Sequence, residues 1–196
     1  MTRRLPTLLC WLLLAAQALA APTDYAQQIA SLIAPAKLAT LRQRGSDPRV
    51  QKAIYWLASG RKEGENPAKV LDRAVALAGY KSAEPAKLTK EALLRNLDIA
   101  EKLGCLDRAG LARMRRGKAA TVMKGPYKGD QLSVDHIIPR AVAPELDNVI
   151  ANLELMPLRT NEQKSDKIGD RQRDLARRFY NAGLLSREGL EAVFRR

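Results

Sequence analysis

Between Thr89 and Gly104 the residues Leu93, Leu94, Leu97, Ile99, Ala100 and Leu103 recur at three- and four-residue intervals, so a helix there turns one broad apolar face towards a partner. A face of that width has to be buried, and the flanking segments carry stripes able to bury it. Tyr25, Ile29, Leu32 and Ile33 repeat at helical spacing until Pro35 interrupts them, and Leu38 and Leu41 resume the pattern. Asp47-Pro48 opens a helix bearing Val50, Ile54, Tyr55 and Leu57 that ends near Gly60. The polar stretch from Arg61 to Pro67 is a surface loop. Val70, Leu71, Ala74, Val75 and Ala78 mark the next helix over 68–78, and a shorter one follows over 106–114. Residues 21–118 therefore read as a helical bundle whose apolar stripes form its core.

The rhythm then changes. Gln131, Leu132, Ser133 and Val134 alternate polar and apolar, the pattern of a half-buried strand. Pro139 cannot donate to a ladder and ends that strand. The segment from Asn152 to Leu158 alternates well enough for a second strand, with Leu153, Leu155 and Leu158 on one side. Thr160 and Gln163, three apart, carry the signature of a capping box for a helix beginning at Asn161. Leu175 and Phe179 line an arginine-rich helical stretch, and Ser186 caps a final helix with Leu190 and Phe194. The expected class is α+β and predominantly helical: an N-terminal bundle, a short hairpin with its helix, and C-terminal helices.

The candidate chemistry sits at the end of the first strand, where Asp135 precedes His136, the only histidine in the chain. Neighbours on a regular strand point to opposite faces, so the pair can serve one site only if the backbone departs from regularity on its way into Pro139. Three runs stand in order: Val134-Asp135-His136-Ile137-Ile138-Pro139, Asn152-Leu153-Glu154-Leu155, and Asn161-Glu162-Gln163-Lys164-Ser165-Asp166. Together they resemble the HNH endonuclease family, in the variant whose last motif letter is asparagine, as in the HNH domain of CRISPR effector nucleases. The resemblance covers roughly residues 119 to 170.

That resemblance implies a β-hairpin and one helix around a metal (a ββα-metal module), with phosphodiester hydrolysis as the activity. It assigns Asp135 and Asn161 as metal ligands and His136 as the general base. Asn152 would brace the loop and help to orient the histidine. An all-oxygen ligand set completed by water and substrate phosphate points to one divalent ion, Mg²⁺ first and Mn²⁺ second. Lys164, one helical turn beyond Asn161, and the flanking Arg140 and Arg159 would contact the substrate phosphate. Many family members knit this motif around zinc with paired cysteines, which this chain lacks.

The N-terminus carries Arg3 and Arg4, then an apolar run from Leu8 to Ala16, then Ala18-Leu19-Ala20 ahead of Ala21-Pro22. This is the pattern of a secretory signal peptide over residues 1–20, and the run falls short of the roughly 20 apolar residues that a membrane span needs. The expected localisation is periplasmic or secreted, with no membrane insertion after cleavage. Removing the segment leaves Cys105 as the sole cysteine, which excludes an intramolecular disulfide and a cysteine-ligated zinc.

The formal charge of +13 includes Arg3 and Arg4, so the remaining chain carries +11 and calls for an anionic partner, whether nucleic acid, membrane surface or cell-wall polymer; charge alone does not choose among them, and the resemblance implies DNA. Arg108, Arg113, Arg115, Arg116, Lys118, Lys124 and Lys128 form a run without a single acid that leads into the hairpin, and Arg115, Arg116 and Lys118 are its candidate phosphate contacts. The expected division is 1–20 signal peptide, 21–118 helical region and 119–196 nuclease domain. The competing reading is a non-catalytic basic module that binds nucleic acid or an anionic polymer.

Overall fold

The computed structural model describes residues 23–164 and 167–196. The expected signal peptide and the motif residues Ser165 and Asp166 lie outside them. Nine helices and one two-stranded antiparallel sheet make up the described residues, an α+β fold that is mostly helical.

Five N-terminal helices supply the framework: α1 (Tyr25–Ile33), α2 (Pro35–Leu38), α3 (Asp47–Lys62), α4 (Pro67–Leu77) and α5 (Ala83–Lys102). Asp24 caps α1 and Asn66 caps α4 through their side chains, and each leaves one or two first-turn N–H groups satisfied. Helix α5 begins six residues before Thr89, the expected start. Pro85 stands in its first turn, where its missing N–H costs nothing. Thr89 is instead buried inside the helix, and its hydroxyl accepts a hydrogen bond from Tyr80 at 2.9 Å. Helix α6 (Arg108–Arg115) packs on α3, with Gly110 in its first turn. A Cβ at Gly110 would lie 2.0 Å from the Cys105 carbonyl oxygen.

Strand β1 (Leu132–His136) pairs with β2 (Leu153–Pro157) so that Leu132 faces Pro157, Val134 faces Leu155 and His136 faces Leu153. Helix α5 underlies β2 and caps its free edge with one side chain. The fully buried Asn96 donates through Nδ2 to Leu153 O at 2.9 Å and accepts from Leu155 N–H at 2.7 Å. The free edge of β1 is covered in turn by Ala120, whose carbonyl accepts from Leu132 N–H at 2.8 Å. Leu132, Val134, Leu153 and Leu155 join the core formed by α1, α3, α4 and α5. The packing is thus continuous across the boundary expected at 118/119.

Helix α7 (Leu158–Lys164) follows β2 directly, three residues earlier than Asn161. Its opening amides are taken by the two residues that precede β1: Leu158 N–H donates to Gln131 O at 2.8 Å, and Arg159 N–H to Asp130 Oδ2 at 3.0 Å. The expected Thr160–Gln163 capping box does not form, and the Thr160 hydroxyl lies inside the helix without a partner among the described residues. A second core cluster packs α8 (Asp170–Asn181) and α9 (Arg187–Phe194) against the connection after Pro139, with Ile138, Leu146, Ala176 and Phe179 at its centre. None of the described helices is long and apolar enough to cross a membrane.

Candidate active site

Strand β1 stays regular to its last residue. His136 is still in register with Leu153, and Ile137 N–H donates to Asn152 O at 2.8 Å, which carries the ladder one step further. The expected departure from regularity is therefore absent, and the two side chains leave on opposite faces. Asp135 and Ser133 turn to α7, whereas His136 turns inward with Leu132 and Val134. The candidate residues form two halves on either side of the strand end.

On the outer face, Lys164 pairs with the Asp135 carboxylate and donates to His136 O at 2.9 Å. Asn161 donates through Nδ2 to Ser133 Oγ at 2.9 Å, which leaves its carbonyl oxygen without a protein donor among the described residues. This half therefore offers one carboxylate and one amide oxygen, hard donors of the kind Mg²⁺ and Mn²⁺ take alongside water and phosphate oxygens. No group of three or more histidine, cysteine or acidic side chains suited to a metal occurs among the described residues, so the fit depends on water and substrate for the remaining positions. The Lys164 ammonium shares Asp135 with any such ion.

Glu154 stands opposite Asp135 across the hairpin, on the same face. Like charges so placed repel, and here they are offset by Lys164 together with Arg171, whose Nη1 lies 3.0 Å from Glu154 Oε2, and Arg95, whose Nε lies 2.9 Å from Oε1. Burial acts to raise the Glu154 pKa, but hydrogen bonding and charge from Arg171, with Arg95 and Lys164, hold it below the usual glutamate value. Sequence reasoning missed this cluster, because its five basic and acidic members come from five elements: α5, the two strands, α7 and α8.

On the inner face, His136 keeps only 7 % of its side chain exposed. Its Nε2 lies 2.9 Å from the backbone carbonyl of Asp147 and 3.1 Å from that residue's Oδ1. The carbonyl is aligned for a hydrogen bond and Oδ1 is not, so a neutral ring donates from Nε2 and presents Nδ1, which has no protein partner among the described residues. Asp147 Oδ2 accepts from Arg44 N–H at 3.0 Å. Arg44 also reaches Val134 O at 3.0 Å and Asp47 Oδ2 at 2.8 Å. Burial pushes the Asp47 carboxyl above its ordinary pKa, against the pull of Arg44 and of His136. Arg44 and Asp147 gave no signal in the sequence beyond lying in loops, and Asp47 gave only that of a helix start.

Asn152 is fully buried and ties the turn after the histidine in both directions, accepting from Ile138 N–H at 2.8 Å and donating to Ile138 O at 3.0 Å. Arg140 is exposed and lines a cavity together with Gln43, Asp147 and Asn148, beside the inner half. Arg159 is bound to Asp130, and its guanidinium lies 5.5 Å from the centre of the Tyr127 ring. Arg115 sits 6.0 Å from the Tyr55 ring, and it is exposed along with Arg116 and Lys118. The backbone that follows them, at Gly117 and Ala119, lines a groove whose other residues include Arg44, Asp47, Ser133 and Val134. No protein-family model matches the chain, and neither a curated protein nor a solved structure is significantly similar to it.

Proposed function

We propose that the protein is an exported, metal-dependent HNH-type endonuclease that hydrolyses phosphodiester bonds of DNA, with RNA as a second substrate, and with little sequence preference. The observation that carries this reading is the placement of His136: a lone histidine at a strand end, with Nε2 2.9 Å from the Asp147 carbonyl and Nδ1 without a protein partner among the described residues. A general base needs that division of labour between its two nitrogens. Asp135 and Asn161 would hold the divalent ion on the outer face of the strand end, opposite the ring of His136, so the reading requires substrate to reach both faces of that end; the ion would supply charge neutralisation at the phosphate and assistance to the departing oxygen. Asn152 fixes the turn from which the histidine projects. The exposed basic residues Arg115, Arg116, Lys118 and Arg140 suit phosphate contacts that position a duplex without reading its bases.

Plasmid cleavage tests the proposal. The protein is expected to nick or linearise plasmid with Mg²⁺ or Mn²⁺ and to stop when the ion is chelated. His136→Ala should retain plasmid binding while losing about a hundred- to ten-thousand-fold in rate, the usual scale for removal of a general base. Tight binding without cleavage under any of these ions would overturn the enzyme reading in favour of a basic binding module.

A further inference from the structure

The loop from Leu41 to Asp47 lies in the helical half, about a hundred residues before the connection that holds His136, and yet the two are clamped together. Ser46 N–H donates to Asn148 Oδ1 at 3.0 Å, Ser46 Oγ donates to Asn148 O at 3.0 Å, and Asn148 Nδ2 donates to Arg42 O at 3.2 Å. Ser46 is fully buried. At the centre of the clamp, Arg44 is the only non-glycine among the described residues with a positive φ, at 56°. A left-handed arginine is costly unless its surroundings over-determine it, and such strain gathers where geometry serves a site. Here it aims the Arg44 amide at Asp147 Oδ2, while the guanidinium takes Val134 O on the strand that carries His136.

From this geometry we infer that Asp147 is the positioning residue of the His136 imidazole and that the Arg44 loop of the helical region holds it in place. The side chain of Asp147, tethered to Arg44 N–H, fixes the position of its own backbone carbonyl. That carbonyl fixes the ring by accepting from Nε2. Asp147 Oδ1 remains 3.1 Å from the same nitrogen, with no hydrogen-bond partner among the described residues. The helical half thereby contributes part of the site, and the 119–196 segment alone does not complete it. The consequence for rate rests on the nuclease reading; the positioning itself does not.

Because His136 is the only histidine, ¹⁵N NMR of the whole protein reports its ring nitrogens without assignment ambiguity. The protein is expected to show a single neutral tautomer, protonated at Nε2. In Asp147→Ala that tautomer should give way to a mixture, with kcat falling about a hundredfold and KM within twofold, the scale of a misplaced catalytic group. Asp147→Asn, which keeps an acceptor for Arg44 N–H, should restore the tautomer. Should Asp147→Ala not fold, Ser46→Ala, which loosens the same clamp by one bond, should produce a smaller shift towards the mixture.

A ring protonated at Nδ1, or a fixed Nε2 tautomer in folded Asp147→Ala or unchanged in Ser46→Ala, would overturn the inference. The expected tautomers in a protein that cleaves nothing would instead sink the nuclease reading and leave the positioning intact.

Discussion

Asp47 is a carboxylate in a costly position. One oxygen accepts from Arg44, and the other is buried without a partner among the described residues. Its pKa is raised in the folded state, so the native protein binds a proton here more readily than the unfolded chain does, and this group costs stability as pH rises through its folded pKa. Asp47→Asn keeps an acceptor for Arg44 and removes the charge. It is expected to melt at a higher temperature than the unaltered protein at neutral pH, with the difference closing towards roughly pH 4, where the unfolded carboxylate also takes up its proton. Thermal denaturation across that range checks the sign, and a lower melting temperature at neutral pH would contradict it. A costly charge next to the histidine is the kind of local conflict that accompanies a functional site.

At the scale of elements, the hairpin depends on a helix that shares no sequence with it. Asn96 of α5 supplies β2 with the donor and the acceptor that a third strand would have supplied. Asn96→Ala would leave a buried carbonyl and a buried amide unpaired, and should cost about 2–4 kcal/mol, read as a lower denaturant midpoint with the slope unchanged. The apolar stripes of α1, α3, α4 and α5 were legible in the sequence because each is a local periodicity. The start of α7 was not. Its first amides are satisfied by Gln131 and Asp130 from another element, so Thr160 and Gln163 offered a local signature for a cap that tertiary contacts made unnecessary. The start of α5 misled for the opposite reason, since Pro85 looks like a break and is tolerated in a first turn.

Across the whole molecule, the strand that carries Asp135 and His136 and the helix that carries Asn161 and Lys164 were legible in the sequence. The division of these side chains between two faces was not, because only the register of β1 against Leu153 decides it. The inner half was illegible for a further reason: Arg44 and Asp147 are 103 residues apart, and neither sits in a periodic pattern. The shared core makes a prediction about modularity. A fragment of residues 119–196 loses Asn96, Arg44 and the helices that bury Leu132, Val134, Leu153 and Leu155. It should show poorly dispersed amide resonances and no cooperative melt, and a well-folded fragment would refute the dependence.

The clamp between Ser46 and Asn148 joins segments 102 residues apart in the chain. Contacts of such separation close after the local helices, since the intervening chain has to be ordered first. In pulsed hydrogen exchange during refolding, the amides of Arg44 and Ser46 should gain protection later than those in the middle of α5. The histidine would then acquire its fixed orientation only in the final step of folding, and under the proposed nuclease reading a partly folded chain, however basic its surface, would hold nucleic acid without being able to cut it.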